Sequence, residues 1–405
     1  MKLPNDWSLK ALSALVDTKR PISYGVVQTG DPVADGVPCV RVVDLASGKP
    51  DRAAMITTSQ KISASYSRTV LAEGDVIIAL RGEIGRAALV PKALGGVNLT
   101  RGVALLACAP KKMDPRFMFQ SLACQHVRRE IMHGVNGTGL QEIPITNLRQ
   151  VRLPVPPLLE QRKIADILTT WDEALTRLDA LIEAQERRKK ALMQQLLTSA
   201  SSKAGTRHAR QRMGCVLERV TRRNSTLNDN VLTISAQGGL VSQKEYFNRS
   251  VAGADLSGYY LLHRGEFAYN RSYSKGYPYG ALKRLDQFDS GVVSTLYLCF
   301  RIKEGAAVSP EYLVHYFEGG RLNSGLRCIA KEGARAHGLL NVTADEFFDL
   351  DIFLPSLAEQ QKIAEILDTA DQQLTLLRTQ RTALDQQKRG LMQRLLTGKL
   401  RVKTN

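Results

Sequence analysis

The side chains best suited to chemistry in this sequence are planar hydrogen-bond donors, cations and aromatic rings that interleave where strand-like runs end. The densest group follows the apolar run at residues 267–269, where glycines separate polar, basic and aromatic residues. Planar amides and guanidinium groups form hydrogen bonds with base edges, and cations contact phosphates. A tyrosine-rich core turn is the alternative interpretation. The candidates in this stretch are Asn270, Arg271, Tyr273, Ser274, Lys275, Tyr277 and Tyr279.

Two further groups of side chains share these properties. Arg335 and His337 lie on a glycine-rich loop, and a solvated loop explains them equally well. In the N-terminal part of the chain, a turn glycine precedes a second strand-like run that ends on basic residues, each of which could also be an ordinary surface residue. The candidates there are Arg81, Arg86, Asn98, Thr100 and Arg101, with Arg68 as a phosphate contact.

Residue patterns typical of catalysis are missing from the sequence. It contains no GxxxxGK[ST] nucleotide loop, no Asn/Asp-Pro-Pro-aromatic motif of amino-methyltransferases and no glycine-rich turn of the S-adenosylmethionine type. The six cysteines and six histidines are dispersed, without a CxxC pair or the spacing of metal ligands. We therefore expect no catalytic residue, no metal and no cofactor in this chain.

Composition and charge narrow the class of partner. The chain has 405 residues, 43% of them hydrophobic, a formal charge of +17 and a pI near 9.7. A basic surplus on globular domains is expected of a protein that contacts phosphate backbones, although a generic basic cytosolic protein would share it. No run of about 18 apolar residues and no signal-peptide core are present, so we expect a soluble cytoplasmic protein without a membrane partner.

One segment of the sequence occurs twice at a constant offset of 199 positions. The run from Pro156 to Leu168 and the run from Pro355 to Leu367 share the pattern Pro-x-Leu-x-Glu-Gln-x-x-Ile-Ala-x-Ile-Leu. The match continues without a gap to Thr198 and Thr397, and about half of the paired residues are identical. The protein is therefore a tandem of two related halves.

Each copy predicts a long helix that begins after its prolines, and neither copy contains another proline before its final threonine. At ~1.5 Å per residue each helix would be nearly ~60 Å long, and a helix with one apolar stripe needs a partner. The other copy is the simplest partner, and two long core helices are the alternative. The predicted pairing residues have heptad spacing: Leu168, Trp171, Leu175, Leu178, Ile182, Leu192 and Leu196, then Leu367, Leu374, Leu377, Leu384, Leu391 and Leu395.

The segments between the helices are predicted to be two related globular domains with different surfaces. Each contains a turn glycine before a strand, at Gly74 and Gly265, and a helix start with proline in its first turn, at Pro115 and Pro310. The predicted boundaries are 1–153 for the first domain, 154–198 for the first long helix, 199–208 for a flexible linker, 209–352 for the second domain and 353–405 for the second long helix.

The duplicated helix motif, the two domains of this size and the aromatic and glycine-rich stretch at 267–281 resemble the specificity subunits of type I restriction-modification systems. The resemblance covers essentially the whole chain. It implies α/β (α+β) target recognition domains in tandem, each binding one half of a bipartite site in double-stranded DNA. It also implies that the long helices pair as an antiparallel coiled coil, set the spacer and dock two DNA methyltransferase subunits.

The resemblance further implies that catalysis belongs to partner subunits. The methyltransferase (modification) subunits would use S-adenosylmethionine, and restriction subunits would use ATP and Mg²⁺. The alternative from another class is a coiled-coil adaptor whose basic domains bind nucleic acid without sequence preference. A stand-alone nuclease is disfavoured because its motifs are missing from the sequence.

Overall fold

The computed structural model of the protein describes residues 3–46, 50–137, 139–202, 209–235, 238–247, 255–274, 276–332 and 340–403. The chain divides into two compact units. Unit 1 comprises Met1–Ala180 and Thr379–Asn405, and unit 2 comprises Leu181–Arg378. Each unit therefore contains one globular domain together with a part of both long helices.

The globular domain of unit 1 contains both strands and helices, as the predicted fold class requires. Its apolar core joins the domain to the beginning of the first long helix and to the end of the second. The elements up to the first long helix are β1 (Ser8–Ala11), β2 (Ser23–Tyr24), β3 (Val37–Val40), α1 (Val42–Ala46), β4 (Ile56–Thr58), α2 (Gln60–Ser65), β5 (Val76–Ala79), β6 (Ala87–Leu89), β7 (Asn98–Leu99), β8 (Val103–Leu106), α3 (Pro115–Ala123), α4 (Gln125–His133), α5 (Ile145–Gln150), β9 (Arg152–Val155) and α6 (Leu158–Ser202).

The globular domain of unit 2 also mixes strands and helices around an apolar core of its own. That core includes residues from both long helices. The elements are β10 (Ala209–Arg212), α7 (Met213–Val216), β11 (Leu217–Arg219), β12 (Leu232–Ser235), β13 (Gly239–Ser242), α8 (Gln243–Phe247), β14 (Tyr260–His263), β15 (Phe267–Asn270), β16 (Ala281–Arg284), β17 (Ser290–Val293), β18 (Leu298–Ile302), α9 (Pro310–Glu318), α10 (Asn323–Ile329), β19 (Lys331–Glu332), β20 (Leu340–Asn341), α11 (Ala344–Phe348), β21 (Asp351–Leu354) and α12 (Leu357–Leu395).

The two domains share one strand plan, which confirms that they are related. Unit 1 has a four-stranded sheet in the order β2-β8-β5-β6, and unit 2 has one in the order β11-β18-β15-β16. The strands predicted after Gly74 and Gly265 are β5 and β15, which hold the same place in the two sheets. Both glycines have positive φ values, a backbone conformation that other residues rarely adopt. In each domain the first strand pairs antiparallel with the last strand before a long helix, β1 with β9 and β10 with β21.

A buried glutamine lies at the start of both long helices, in the Glu-Gln pair that the two copies of the repeat share. In unit 1 the Gln161 side chain accepts a hydrogen bond from the Asp114 amide at 2.9 Å and donates to the carbonyls of Lys112 and Pro156. In unit 2 the Gln360 side chain accepts from the Ser309 amide at 2.8 Å and donates to two carbonyls in the same way. Each glutamine therefore joins the start of a long helix to the start of α3 or α9, and we call this contact the glutamine staple.

Both predicted long helices are present, but their bounds differ from the predicted ones. Helix α6 begins at Leu158 and α12 at Leu357, four residues after the predicted starts at 154 and 353, and α12 ends ten residues before the predicted end at 405. Residues 154–155 and 353–354 belong to strands β9 and β21. Helix α6 contains 45 residues and α12 contains 39, which corresponds to about 68 Å and 59 Å at ~1.5 Å per residue. Helix α12 ends two residues before Thr397. Helix α6 continues through Ser202, so the first four residues of the predicted linker are helical, and residues 203–208 lie outside the described residues.

Ion pairs show that α6 and α12 run antiparallel within each unit. In unit 1, Asp172 pairs with Lys388 and Asp179 pairs with Arg381, so seven residues forward on one helix correspond to seven backward on the other. In unit 2, Lys189 pairs with Asp371, and Glu186 pairs with Arg378. The predicted pairing residues are all buried or half-buried on these helices. No helix within the described residues is long and apolar enough to cross a membrane.

Candidate nucleic-acid interface

In unit 1, the loops that follow β5 and precede β8 meet at one end of the four-stranded sheet. The Leu80 amide donates to the Gly102 carbonyl at 2.8 Å, and the Ile143 amide donates to the Leu80 carbonyl at 2.9 Å. The glycine-rich segment before Ile143 is held here as well, through a backbone bridge between Arg81 and Glu142. We call the residues at 80–86, 100–102, 136–137 and 139–142 the unit 1 loop cluster.

Two of the predicted contact residues are exposed cations on this cluster. Arg81 and Arg101 are both exposed, and neither forms an ion pair with a residue that the structure describes. A Cβ added to Gly102 would lie 2.9 Å from Arg81 Nε, so the glycine leaves space for the arginine side chain. Arg86 is half-buried and is paired with Glu83. Arg81 and Arg101 are therefore the cations best placed to meet a polyanion.

A surface cavity of about 400 Å³ opens beside the unit 1 loop cluster, with Arg86 in its wall. Arg128 of α4 and Gln141 also line it, and both are exposed. Sequence reasoning missed these two side chains because more than 40 residues separate Arg128 from Arg86 and no local pattern joins them. A cation and a planar amide beside one concave surface are suitable for a phosphate or a base edge.

Asn98 is not available to a ligand, which corrects its choice as a contact residue. Its side chain is fully buried, accepts from the Thr69 hydroxyl at 2.7 Å and donates to the Ser63 hydroxyl at 3.0 Å. A buried amide with its hydrogen bonds satisfied holds a fold together. Thr100 is half-buried and donates from its hydroxyl to the Val40 carbonyl at 3.0 Å. Arg68 is exposed on a short turn, next to the threonine that binds Asn98.

In unit 2, the loop after β15 meets two other loops through one side chain. Arg271 donates from Nη2 to the Leu296 carbonyl at 2.8 Å and from Nη1 to the Val342 carbonyl at 2.8 Å. Its own carbonyl accepts from the Leu340 amide at 2.7 Å. We call the residues at 270–274, 276–280, 294–297 and 340–342 the unit 2 loop cluster. Arg271 was chosen as a base contact, and in the structure its guanidinium group clamps these loops together.

Tyr277 anchors the aromatic turn to helix α9. Its hydroxyl donates to Glu318 at 2.6 Å and accepts from Lys283 at 3.0 Å, and the lysine also pairs with Glu318. Burial and the neighbouring Glu318 raise the pKa of Tyr277, so its hydroxyl stays protonated and remains a donor at neutral pH. Lys283 lies 4.9 Å from the centre of the tyrosine ring. Tyr277 therefore fixes the position of the aromatic turn relative to α9 and β16.

The rest of the predicted turn divides between structural and exposed side chains. Tyr273 is 65% exposed, whereas Tyr279 is half-buried and packs against the domain core. Asn270 accepts from the Ser272 amide at 3.1 Å, and Ser274 and Tyr277 exchange backbone hydrogen bonds across the tip of the turn. Tyr273 is thus the predicted aromatic residue that a ligand can stack upon. The candidates Lys275, Arg335 and His337 lie outside the described residues.

The described histidines, cysteines and carboxylates are the groups that could form a metal site or a reactive thiol. No group of three His, Cys, Asp or Glu side chains with the geometry of a metal site occurs among the described residues. All six cysteines are free thiols. Burial raises the pKa of Cys39 to about 11, and burial together with nearby carboxylates raises the pKa of Cys108 to about 12. These thiols remain protonated, and therefore unreactive, at neutral pH.

Comparison with known proteins places these features in a family. Residues 29–185 and 284–386, more than half of the chain, match the family model of the type I restriction modification DNA specificity domain. A segment of 162 residues is 29% identical to the type I restriction enzyme EcoBI specificity subunit of Escherichia coli, covering 40% of this chain and 34% of that protein. The putative type I restriction enzyme MjaX specificity subunit of Methanocaldococcus jannaschii is 23% identical over 436 residues, covering 100% of this chain and 96% of that protein.

Solved structures share the fold along nearly the full length of the chain. A type I restriction-modification system S subunit from M. genitalium has a TM-score of 0.57 and 15% identity, covering 98% of both chains. An HsdS subunit from Thermoanaerobacter tengcongensis has a TM-score of 0.50 and 16% identity, covering 99% of both chains. At these identities the likeness concerns the fold.

Proposed function

The chain belongs to the type I restriction modification DNA specificity family, and we propose that it recognises an asymmetric DNA site in two parts. As a specificity subunit it selects the DNA sequence, and catalysis is carried out by other subunits of the complex. The domain at 1–153 would contact one half-site and the domain at 209–352 the other. The observation that carries this proposal is a single sheet plan, present in both units, whose strand ends bear different side chains.

The two loop clusters differ in the chemistry that they offer to DNA. The unit 1 loop cluster presents Arg81 and Arg101 as exposed cations and has a polar cavity beside it. The unit 2 loop cluster presents Tyr273 on a turn that Arg271 and Tyr277 hold in place. Guanidinium groups bind guanine edges or phosphates, whereas an exposed aromatic ring stacks or makes apolar contact. Two clusters of unlike chemistry are suited to two unlike half-sites.

We assign the remaining roles to the helices and to partner subunits. The segments at 154–198 and 353–405 would set the spacing between the half-sites and carry two DNA methyltransferase subunits. Those subunits would bind S-adenosylmethionine and methylate adenine, and restriction subunits would use ATP and Mg²⁺ for translocation and cleavage.

Methylome sequencing of the source cell, with and without this gene, tests the proposal as a whole. We expect loss of adenine methylation at one asymmetric two-part motif, which would also identify both half-sites and the spacer. An unchanged methylome in cells that express the protein with its partners would contradict the proposal. A purified complex that binds every DNA sequence equally, with strong salt dependence, would favour the non-specific adaptor instead.

A double variant tests the unit 1 loop cluster directly. We expect Arg81→Ala with Arg101→Ala to weaken binding of the methyltransferase complex to its cognate DNA by at least tenfold, because each cation is exposed and without an ion pair among the described residues. If both contact phosphates, the slope of log K against log salt concentration falls by ~0.9 for each contact. The control is Arg177→Ala on α6, which removes a cation that is 83% exposed and paired with Glu173. Equal effects of the double variant and the control would refute the assignment.

A further inference from the structure

The largest difference in side-chain size between the two copies of the repeat, among the positions that line an open groove of the structure, is at residues 171 and 370. Residues 171 and 370 are equivalent by the offset of 199, and they are tryptophan in the first copy and alanine in the second. In unit 2, a groove of about 410 Å³ lies between α6 and α12 beside Ala370. The residues that line the groove are Gln185, Arg188, Lys189, Leu192, Glu365, Ile366, Thr369, Ala370 and Gln373.

The isoleucine one helical turn before this position is partly covered in the copy with tryptophan and exposed in the copy with alanine. On a helix, a side chain leans towards the N-terminus and covers the turn that carries the residue four positions earlier. In unit 1 that earlier residue is Ile167, which is partly buried and packs against the core. In unit 2 the equivalent residue is Ile366, which is 45% exposed. Because Ala370 has no side chain beyond Cβ, the apolar surface of Ile366 stays uncovered.

We propose that the groove beside Ala370 receives an aromatic side chain from the methyltransferase subunit that docks on the helix pair of unit 2. The first copy of the repeat indicates the size of the occupant, since Trp171 stands half-buried where the second copy has alanine. Leu192 and Ile366 supply the larger apolar side chains of the groove. The identity of the partner rests on the proposed function, whereas the aromatic character of the occupant rests on the groove itself.

The positive charge of Arg188 supports an aromatic occupant of the groove over an aliphatic one, because cations are attracted to the faces of aromatic rings. Arg188 is exposed and forms no ion pair within the described part of the chain, so its guanidinium is able to lie over a ring. Lys189, by contrast, is neutralised by Asp371, and the Thr369 hydroxyl donates to the Glu365 carbonyl at 2.7 Å. Arg188 therefore offers an exposed guanidinium to a ring that enters beside Leu192 and Ile366. The rest of the groove is lined mostly by polar side chains, the Glu365 carboxylate among them.

The proposal makes the two docking positions on the helix pair unequal. In unit 2 the partner inserts an aromatic side chain into the groove beside Ala370. In unit 1 Trp171 occupies the equivalent position on the helix pair. Partner subunits would therefore bind in two steps of different affinity, with the groove beside Ala370 forming the tighter contact. This asymmetry would belong to the specificity subunit, whatever the DNA sequence.

Filling the groove tests the proposal with the intact complex. We expect Ala370→Trp to weaken binding of one of the two methyltransferase subunits by about 30-fold or more, the size of an aromatic hot spot. Native mass spectrometry of the purified complex across a dilution series measures both affinities. Glu304→Trp is the control, because this residue is exposed on the loop after β18 of the same unit and lies outside both long helices. Two unchanged affinities in Ala370→Trp would overturn the proposal.

A second measurement needs no partner and separates the groove from the proposed function. Indole is titrated into the methyl-labelled chain, and the Ile366 methyl resonance is followed by NMR. We expect this resonance to move in the unmodified protein and to stay fixed in Ala370→Trp, with Ile167 unaffected in both. An Ile366 signal that ignores indole would overturn the aromatic assignment. If the signal responds but no methyltransferase subunit binds the chain, the proposed function fails and the groove remains an aromatic-binding site.

Discussion

The glutamine staple is the contact whose removal has the most clearly defined consequence. Gln161 is 1% exposed and makes three hydrogen bonds to backbone groups, so Gln161→Leu keeps its approximate volume and removes all three. The Asp114 amide then loses its acceptor, and an orphaned buried donor costs about 1–3 kcal/mol. With the two weakened carbonyls we expect unit 1 to lose about 3 kcal/mol. For a unit of about 200 residues with an m-value of ~3 kcal/mol/M, that corresponds to a shift of ~1 M urea.

Tryptophan fluorescence provides the assay, because both tryptophans of the chain, Trp7 and Trp171, lie in unit 1. We expect Gln161→Leu to lower the urea midpoint of the fluorescence transition by ~1 M. Gln386→Leu, an exposed position of α12 in the same unit, is the control and should leave the midpoint within ~0.2 M. The equivalent Gln360→Leu should lower the unfolding free energy of unit 2 by a similar amount, and circular dichroism measures this urea transition. A Gln161→Leu midpoint equal to that of the control would refute the reasoning.

Three further predictions concern Arg401, Tyr277 and the exposed cysteines. Arg401→Ala should destabilise unit 1 by about 2–3 kcal/mol in urea unfolding, because the buried Glu160 carboxylate loses its guanidinium partner. Arg401 also lowers the pKa of Asp6 through a side-chain hydrogen bond, so the contact between these two residues stabilises the fold at neutral pH. The difference in unfolding free energy between variant and parent should therefore become smaller as the pH falls through the acidic range. Tyr277→Phe should weaken DNA binding by about fivefold, measured by fluorescence anisotropy, because the turn loses its anchor on α9; an unchanged affinity would remove the turn from the interface. A native thiol titration with a disulfide reagent at pH 8 should modify two of the six cysteines rapidly, and fast modification of more would contradict the observed burial. The two are Cys215 and Cys328.

The long helices could be predicted because their signals are local. Heptad spacing, the prolines before each start and the absence of later prolines all lie within the segment that folds. The repeat then predicted two related domains, and the shared sheet order confirms it. The linker boundary at residue 199 was too early because α6 continues through Ser202, and helix ends are the least certain part of such predictions.

The candidate site was harder to predict because residue type does not show how a side chain is used. Arg271 has the chemistry of a base contact, yet its donors are taken by the Leu296 carbonyl, 25 residues away, and by the Val342 carbonyl, 71 residues away. Asn98 lies between apolar residues of a short strand, and only the packing of two hydroxyl groups around it shows that it is buried. Such partners are set by tertiary structure, so composition and spacing could nominate these residues without assigning their roles.

The pattern of retained and altered positions in the repeat follows from the cost of changing each one. Gln161 and Gln360 are kept because replacing either leaves buried backbone groups without partners. The pairs Asp172 with Lys388 and Asp371 with Lys189 are also equivalent by the offset, so the same ion pair occurs once in each unit. Positions that face solvent carry no such constraint, and their differences are free to serve recognition.

Trp171 and Ala370 differ although both are half-buried and occupy one position of the repeat. Filling a groove with a larger apolar residue commonly stabilises a protein, so Ala370→Trp has an effect on stability as well as on assembly. A partner that inserts its own side chain gives the alanine a function that tryptophan would abolish. If the Ala370→Trp chain proves more stable than its parent while binding one methyltransferase subunit less tightly, the cavity is maintained for assembly at the expense of stability. If it proves more stable and assembles normally, the alanine has no such role.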